Sequence, residues 1–328
     1  MKSYLELTTA GQFRRLRPAA LDVCRQFGIE PVKMRPLNHG ENTTFRVIDT
    51  SGTKSTVRIH RPGYQSRSSI SSELAFLLDL SEGTKINAPV PRRTASGESI
   101  VEVRANGVEG TRLAAAFGWI EGRFVDERIA AKHLAATGEL TATLHNFAEK
   151  YDFPRDFERL SWNDPILFGD DLRPRLDETV KSDVFFNAYE LVMKQIADYG
   201  KKKDFGLIHA DLHFGNVFFA KSGIAVIDFD DLGWAHHAYD YAVTLSQFRR
   251  KDNFVHLREA YGEGYSKARP LPKDWRERLE VFMAARVLMM TEWLFSREDN
   301  PRLRSWRDEM LPRWHGDLEK YVATGSLR

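Results

Sequence analysis

The chain has 328 residues, of which 42% are hydrophobic and 29% charged, with a net charge of +2. That length exceeds one small core and points to two domains. The composition is that of a soluble globular protein, and the charge balance gives no reason to expect nucleic acid or a membrane as partner. Cys24 is the one cysteine, which excludes an intramolecular disulfide and a cysteine-built metal site.

The first residues show no apolar core with a cleavage site, and no run of eighteen apolar residues occurs. Neither a signal peptide nor a membrane span is expected, and a cytoplasmic location is the default. Pro18 near a first turn, apolar Ala20, Val23, Cys24 and Phe27, and Gly28 as a stop predict a helix over 18–27. Phe45, Val47, Val57 and Ile59 lie in segments of period two and predict strands around the Ser51-Gly52-Thr53 turn. Ile70, Leu74, Leu77 and Leu78 form the stripe of a helix over 69–80, and strands follow over 99–103 and 112–120. Beyond Gly122 the pattern turns helical, over 130–148, 184–199, 254–265, 275–293 and 302–321. A strand-rich first third and a helical remainder make an α+β chain of two lobes, and a cleft between lobes is a usual place for a ligand.

The densest chemistry lies between Leu207 and Asp230. Asp211 and Asn216 stand five residues apart in a segment that Gly215 keeps from being one regular element. A carboxylate there can orient a hydroxyl and accept its proton. The Asn oxygen is a neutral hard ligand for Mg²⁺, and the strand over 223–227 delivers Asp228 as a full carboxylate for the same ion. Asp and Asn are also common turn and capping residues between buried strands, and Asp230 and Asp231 fit a turn cap equally well.

His209-x-Asp211-x4-Asn216, followed twelve residues later by Asp228 in an Ile-Asp-Phe, resembles the catalytic and metal-binding motifs of the aminoglycoside phosphotransferase and choline kinase group. The resemblance implies a protein-kinase-like fold: a small, mostly β N-terminal lobe (1–117), a hinge (118–125) and a larger, mostly helical C-terminal lobe (126–328). It implies ATP and Mg²⁺ as cofactors, Asp211 as catalytic base, Asn216 and Asp228 as metal ligands, His209 as a brace of the loop, and Asp240 as its support from behind.

The same resemblance extends to the first third. Kinases of this fold pair a strand Lys with a Glu of the next helix. Here the matching strand carries Arg58 and the matching helix Glu73. Arg keeps a fixed charge and can contact two phosphate oxygens, so it departs from the Lys pattern without abandoning its chemistry. A glycine-rich loop is absent. Gly40 and Asn42 stand where the phosphates would be covered, and main-chain contacts from Gly118 and Ile120 to adenine are implied.

The implied reaction moves the γ-phosphate to a hydroxyl of a small molecule: an aminoglycoside, choline or ethanolamine, homoserine, or an amino sugar. The alternatives are a Ser/Thr protein kinase of the bacterial stress-response type, a kinase-like protein that holds nucleotide without efficient catalysis, and a metal-dependent hydrolase built on His209, Asp211 and His213. Trp162, Asp164, Asp170, Asp171, Trp234, His236, His237, Glu292 and Trp293 are candidates for the acceptor site. Arg173, Arg175, Arg286 and Arg297 in the same stretches read as a mixed-charge surface. A monomer or homodimer is expected.

Overall fold

The computed structural model describes all residues except 1, 2, 5, 41, 126, 127, 162–181, 201–203, 221, 222, 298 and 299, and the described residues are the ones meant throughout. The chain divides into two compact units: Met1–Gly122 with Phe153–Glu158, and Arg123–Asp152 with Arg159–Arg328.

The first unit is a five-stranded antiparallel sheet of order β1-β2-β3-β5-β4, with strands Pro31–His39 (β1), Asn42–Asp49 (β2), Lys54–His60 (β3), Val101–Val103 (β4) and Arg112–Gly118 (β5). Helix α1 (Thr9–Gln26) packs on it through Leu16, Ala19, Ala20, Val23 and Cys24. This corrects the expected helix start. Pro18 lies inside the helix rather than in its first turn, and Thr8 caps the true start by accepting from the Gly11 amide. Pro18 is exposed, so its missing N–H costs a bond on the solvent side while the opposite face buries apolar surface. Helix α2 (Arg67–Gly83) is capped by Ser66. The segment at Glu158 belongs to this unit because Ser66 Oγ donates to its carboxylate and its own amide donates to Ser72 Oγ.

β1 went unread in the sequence. It is an edge strand with irregular register, and it holds Pro31 and Pro36 with almost no apolar alternation. A sheet edge is where proline is tolerated.

The second unit is mostly helical, as the sequence implied: α3 (Ala131–Lys150), α4 (Asp183–Tyr199), α5 (His237–Ser246), α6 (Phe254–Ser266), α7 (Trp275–Phe295) and α8 (Pro301–Thr324). One continuous core runs through them, from Leu134 and Phe185 to Tyr261, Phe282 and Leu318. α3 and α6 approach closely because Gly264 has no side chain: a Cβ there would stand 1.9 Å from the Ala135 carbonyl oxygen. Two short antiparallel pairs flank the loop over 209–216, β6 (Phe205–Ile208) with β9 (Gly233–His236), and β7 (Val217–Ala220) with β8 (Gly223–Val226). No helix among the described residues is long and apolar enough to cross a membrane.

Candidate active site

The loop between β6 and β7 is held by Asp240, a fully buried residue of α5. Its Oδ2 accepts the His209 amide at 3.1 Å and its Oδ1 the Ala210 amide at 2.8 Å. Ala210 has a φ of 67°, the left-handed region that a non-glycine residue avoids unless it is held there. Behind Asp240, His145 of α3 completes a chain. Its Nε2 lies 3.0 Å from Asp240 Oδ2, and its Nδ1 2.9 Å from the Tyr265 hydroxyl. A carboxylate only accepts, so Nε2 carries the proton and Tyr265 donates to Nδ1. Burial pushes the Asp240 carboxyl up to about 6, against the pull of His209 and the two amides.

His209 then ties two loops together. Its Nε2 donates to the Ile227 carbonyl at 3.0 Å, so Nδ1 is the acceptor for the Asp211 amide at 3.3 Å. The ring is therefore neutral, and burial holds its basicity below the ordinary imidazole value. Asn216 makes the second tie. Its Nδ2 donates to the Asp211 carbonyl at 2.9 Å and to Asp211 Oδ2 at 3.2 Å, while its own carbonyl accepts the Ile227 amide at 2.9 Å. The residue after Ile227 is Asp228, exposed and at a φ of 66°. Asp211, Asn216 and Asp228 are thus gathered by bonds through Ile227. With its amide nitrogen committed to Asp211, Asn216 keeps Oδ1 for another partner. An amide oxygen and a carboxylate are the hard donors that suit Mg²⁺, which needs few protein ligands beside substrate phosphates.

Around Asp211 the donors converge. Oδ1 accepts from Arg286 Nη2 at 2.8 Å. Oδ2 faces Asn216 Nδ2 and, at 3.3 Å, His213 Nε2. The His213 ring takes the Gly215 amide on Nδ1 at 2.9 Å, which leaves the proton on Nε2. Gly215 is needed for that contact, since a Cβ would stand 2.5 Å from the ring. Burial raises the Asp211 carboxyl, but Arg286 and His213 outweigh it and bring it down to about 2. Such a carboxylate orients a hydroxyl well and is a weak base before the hydroxyl begins to react. The hydrolase reading loses its ligands here: the ring nitrogens of His209 are committed to the Ile227 carbonyl and the Asp211 amide, and those of His213 to the Asp211 carboxylate and the Gly215 amide.

Arg286 corrects the mixed-charge reading. It lies in the apolar run of α7, its side chain 15% exposed, in an ion pair with Asp211. An arginine inside an apolar helical run was the one available signal. His236 and His237 are buried rather than lining a surface, and His237 stacks on His145 with centroids 4.1 Å apart. Trp234, Glu292 and Trp293 are half-buried. Trp162, Asp164, Asp170, Asp171, Arg173 and Arg175 lie outside the described residues.

In the first unit, β3 is the common element. Arg58 Nη2 donates to both carboxylate oxygens of Glu73 at 2.8 Å, and its guanidinium stands 4.8 Å from the centre of the Phe117 ring. Both partners are buried. Asn42 opens β2 opposite His60, and Gly118 ends β5 opposite Ser55. The Gly118 amide is already committed, to the Val90 carbonyl at 2.9 Å. Ile120 lies half-buried just beyond that strand.

Residues 33–281 match the model of a family described as the phosphotransferase enzyme family. The chain belongs to that family. It is a small-molecule, kinase-like phosphotransferase, an enzyme with an alcohol group as acceptor. It is similar to the homoserine kinase of Agrobacterium fabrum, 27% identical over 236 residues, 66% of this chain and 67% of the relative. A solved microcompartment-associated aminopropanol kinase superposes with a TM-score of 0.79 at 27% identity, over 90% of this chain and 94% of that one. The amicoumacin kinase hAmiN, solved with AMP-PNP, Ca²⁺ and Ami, superposes with a TM-score of 0.80 at 20% identity, over 96% of both chains, and shares the fold.

Proposed function

We propose that this phosphotransferase moves the γ-phosphate of ATP to a hydroxyl of a small amino alcohol or hydroxy amino acid, with Mg²⁺ as the cation. The observation that carries the reading is the gathering of Asp211, Asn216 and Asp228 by the bonds of Asn216 and His209 to Ile227. Asp211 orients the acceptor hydroxyl and takes its proton as the bond to phosphorus forms. Asn216 Oδ1 and the Asp228 carboxylate hold the cation, whose charge neutralises the phosphate oxygens when it is bound. Arg58, fixed by Glu73, contacts the phosphates, and Asn42 lies in the segment that covers them. The main chain at Ile120 meets the adenine, the Gly118 amide being spent on Val90.

The named activities of the relatives support the acceptor class: homoserine and aminopropanol each carry an amine a few bonds from a hydroxyl. Because the charge and geometry of the transfer sit on Asp211, catalysis is chiefly positioning and charge neutralisation. The test is a labelled-phosphate screen with ATP and Mg²⁺ over homoserine, the aminopropanol isomers, choline, ethanolamine and aminoglycosides, with Asp211→Ala in parallel. Transfer to one of the first two, lost in the variant, is expected. ATP binding with no transfer to any hydroxyl compound would overturn the reading.

A further inference from the structure

We propose that Arg286 is a positioning residue for phosphoryl transfer, acting through Asp211 by fixing the plane of its carboxylate; this rests on the reading of Asp211 as the base. Arg286 interrupts an apolar helix, with Ala284, Ala285, Val287 and Leu288 all buried around it. A guanidinium is costly at such a place unless it is paired and hydrogen-bonded. Its Nη2 donates to Asp211 Oδ1 at 2.8 Å, and its Nη1 to the Tyr239 hydroxyl at 3.3 Å. Tyr239 in turn donates to Met289 Sδ at 2.8 Å, one turn further along the same helix. The guanidinium is therefore clamped from α5 and α7, elements that do not belong to the loop carrying Asp211.

What the clamp achieves follows from the carboxylate's capacity. A carboxylate offers about four lone-pair positions. Asn216 and His213 approach Oδ2, and Arg286 takes one position on Oδ1. The position left on Oδ1 is the one that accepts the acceptor hydroxyl. The terminal torsion of an aspartate is soft. Contacts to Oδ2 alone leave the carboxylate free to turn about that atom, and the Arg286 bond removes this freedom. Arg286 thus sets the direction from which the hydroxyl is held without touching it.

The test uses the full chain and single-turnover transfer from ATP to homoserine or an aminopropanol. If the wild type phosphorylates neither, the hydroxyl compound that it phosphorylates in the acceptor screen serves instead. Arg286→Ala is expected to lose about 100-fold in rate, the usual consequence of a small misplacement at the reacting centre, with the KM for ATP unchanged. Added guanidinium ion restores part of that rate, and an equal concentration of sodium chloride does not. In the Asp211→Asn background Arg286→Ala costs nothing further, because the group it acts through is gone. Arg286→Lys, which keeps the charge and loses the fork, falls between wild type and Ala. Full activity of Arg286→Ala, a loss that guanidinium leaves untouched, or an equal loss in the Asp211→Asn background overturns the proposal. Wild-type turnover by Asp211→Asn itself removes the assignment of the base. An inactive Asp211→Asn beside a fully active Arg286→Ala removes the role of Arg286 alone.

Discussion

The Asp240 carboxylate spans two successive amides, His209 at 3.1 Å and Ala210 at 2.8 Å, and so keeps Ala210 in the left-handed region at a φ of 67°. Asp240→Asn retains one acceptor oxygen but turns a donor toward the other amide. It is expected to cost about 2–4 kcal/mol, since it leaves a buried amide unpaired and breaks a charge-assisted bond. Turnover should fall with it, as the loop that aims Asp211 relaxes. Urea denaturation and phosphate transfer measured on one preparation check both; a variant of wild-type stability contradicts the support role.

Ala210→Gly is expected to behave in the opposite way. Glycine accepts the left-handed conformation without the roughly 1–2 kcal/mol that a Cβ costs there, and its greater freedom in the unfolded chain offsets part of the relief. Stability within about 1 kcal/mol of wild type and unchanged turnover are predicted, whereas Ala210→Val should unfold more readily than either. The same denaturation series decides it.

The loop proposed as catalytic was legible as a cluster because its polar residues are contiguous: His209, Asp211, Asn216 and Asp228 lie within twenty residues, and Asp240 follows in the next α-helix. The partners that come from elsewhere were not. Arg286 stands 75 positions from Asp211 and left only the trace of a charge in an apolar helical run. His145 left a subtler one. Thr137, Thr141 and His145 are polar, spaced by four, and all fully buried on one face of α3, where a polar stripe has to find partners in the core. β1 was hidden because an exposed edge strand with two prolines has no alternation to read.

Arg58 and Glu73 make a buried pair, and breaking one side leaves the other charge without compensation. Arg58→Met is expected to destabilise the protein by about 3–5 kcal/mol. Arg58→Met with Glu73→Leu should recover most of that stability, because an apolar pair replaces a desolvated one, and nucleotide affinity should remain weak. Thermal melting and nucleotide titration separate the two effects. Normal nucleotide binding by the double variant would show that Arg58 does not contact phosphate.

The buried histidines set the direction of pH dependence. Burial and Arg269 hold the His145 imidazole down to about 3, whereas the unfolded chain takes up that proton near 6.5. Between these values the unfolded state binds more protons, so the contribution of His145 is present above pH 6.5 and lost as pH falls toward 3. His209 and His237, also lowered by burial, act in the same sense. Asp240, raised to about 6, opposes them between its ordinary 3.8 and that value. Three imidazoles against one carboxyl give a melting temperature that falls from pH 7 to pH 5. His145→Gln, which keeps a donor for Asp240 and an acceptor for Tyr265, should flatten that slope. An unchanged slope in the variant contradicts the neutral buried state of His145.

Asp211→Ala is the most direct measurement of what this protein does. The variant should bind ATP with nearly wild-type affinity, because the residues proposed to meet nucleotide and cation are kept and Asn216 retains its bond to the main-chain carbonyl of residue 211, while phosphate transfer to the hydroxyl acceptor falls by at least about 100-fold, the scale of a lost general base. Transfer at the wild-type rate by Asp211→Ala, with Asp211→Asn equally active, would contradict the assignment of Asp211 and with it the site built around that carboxylate.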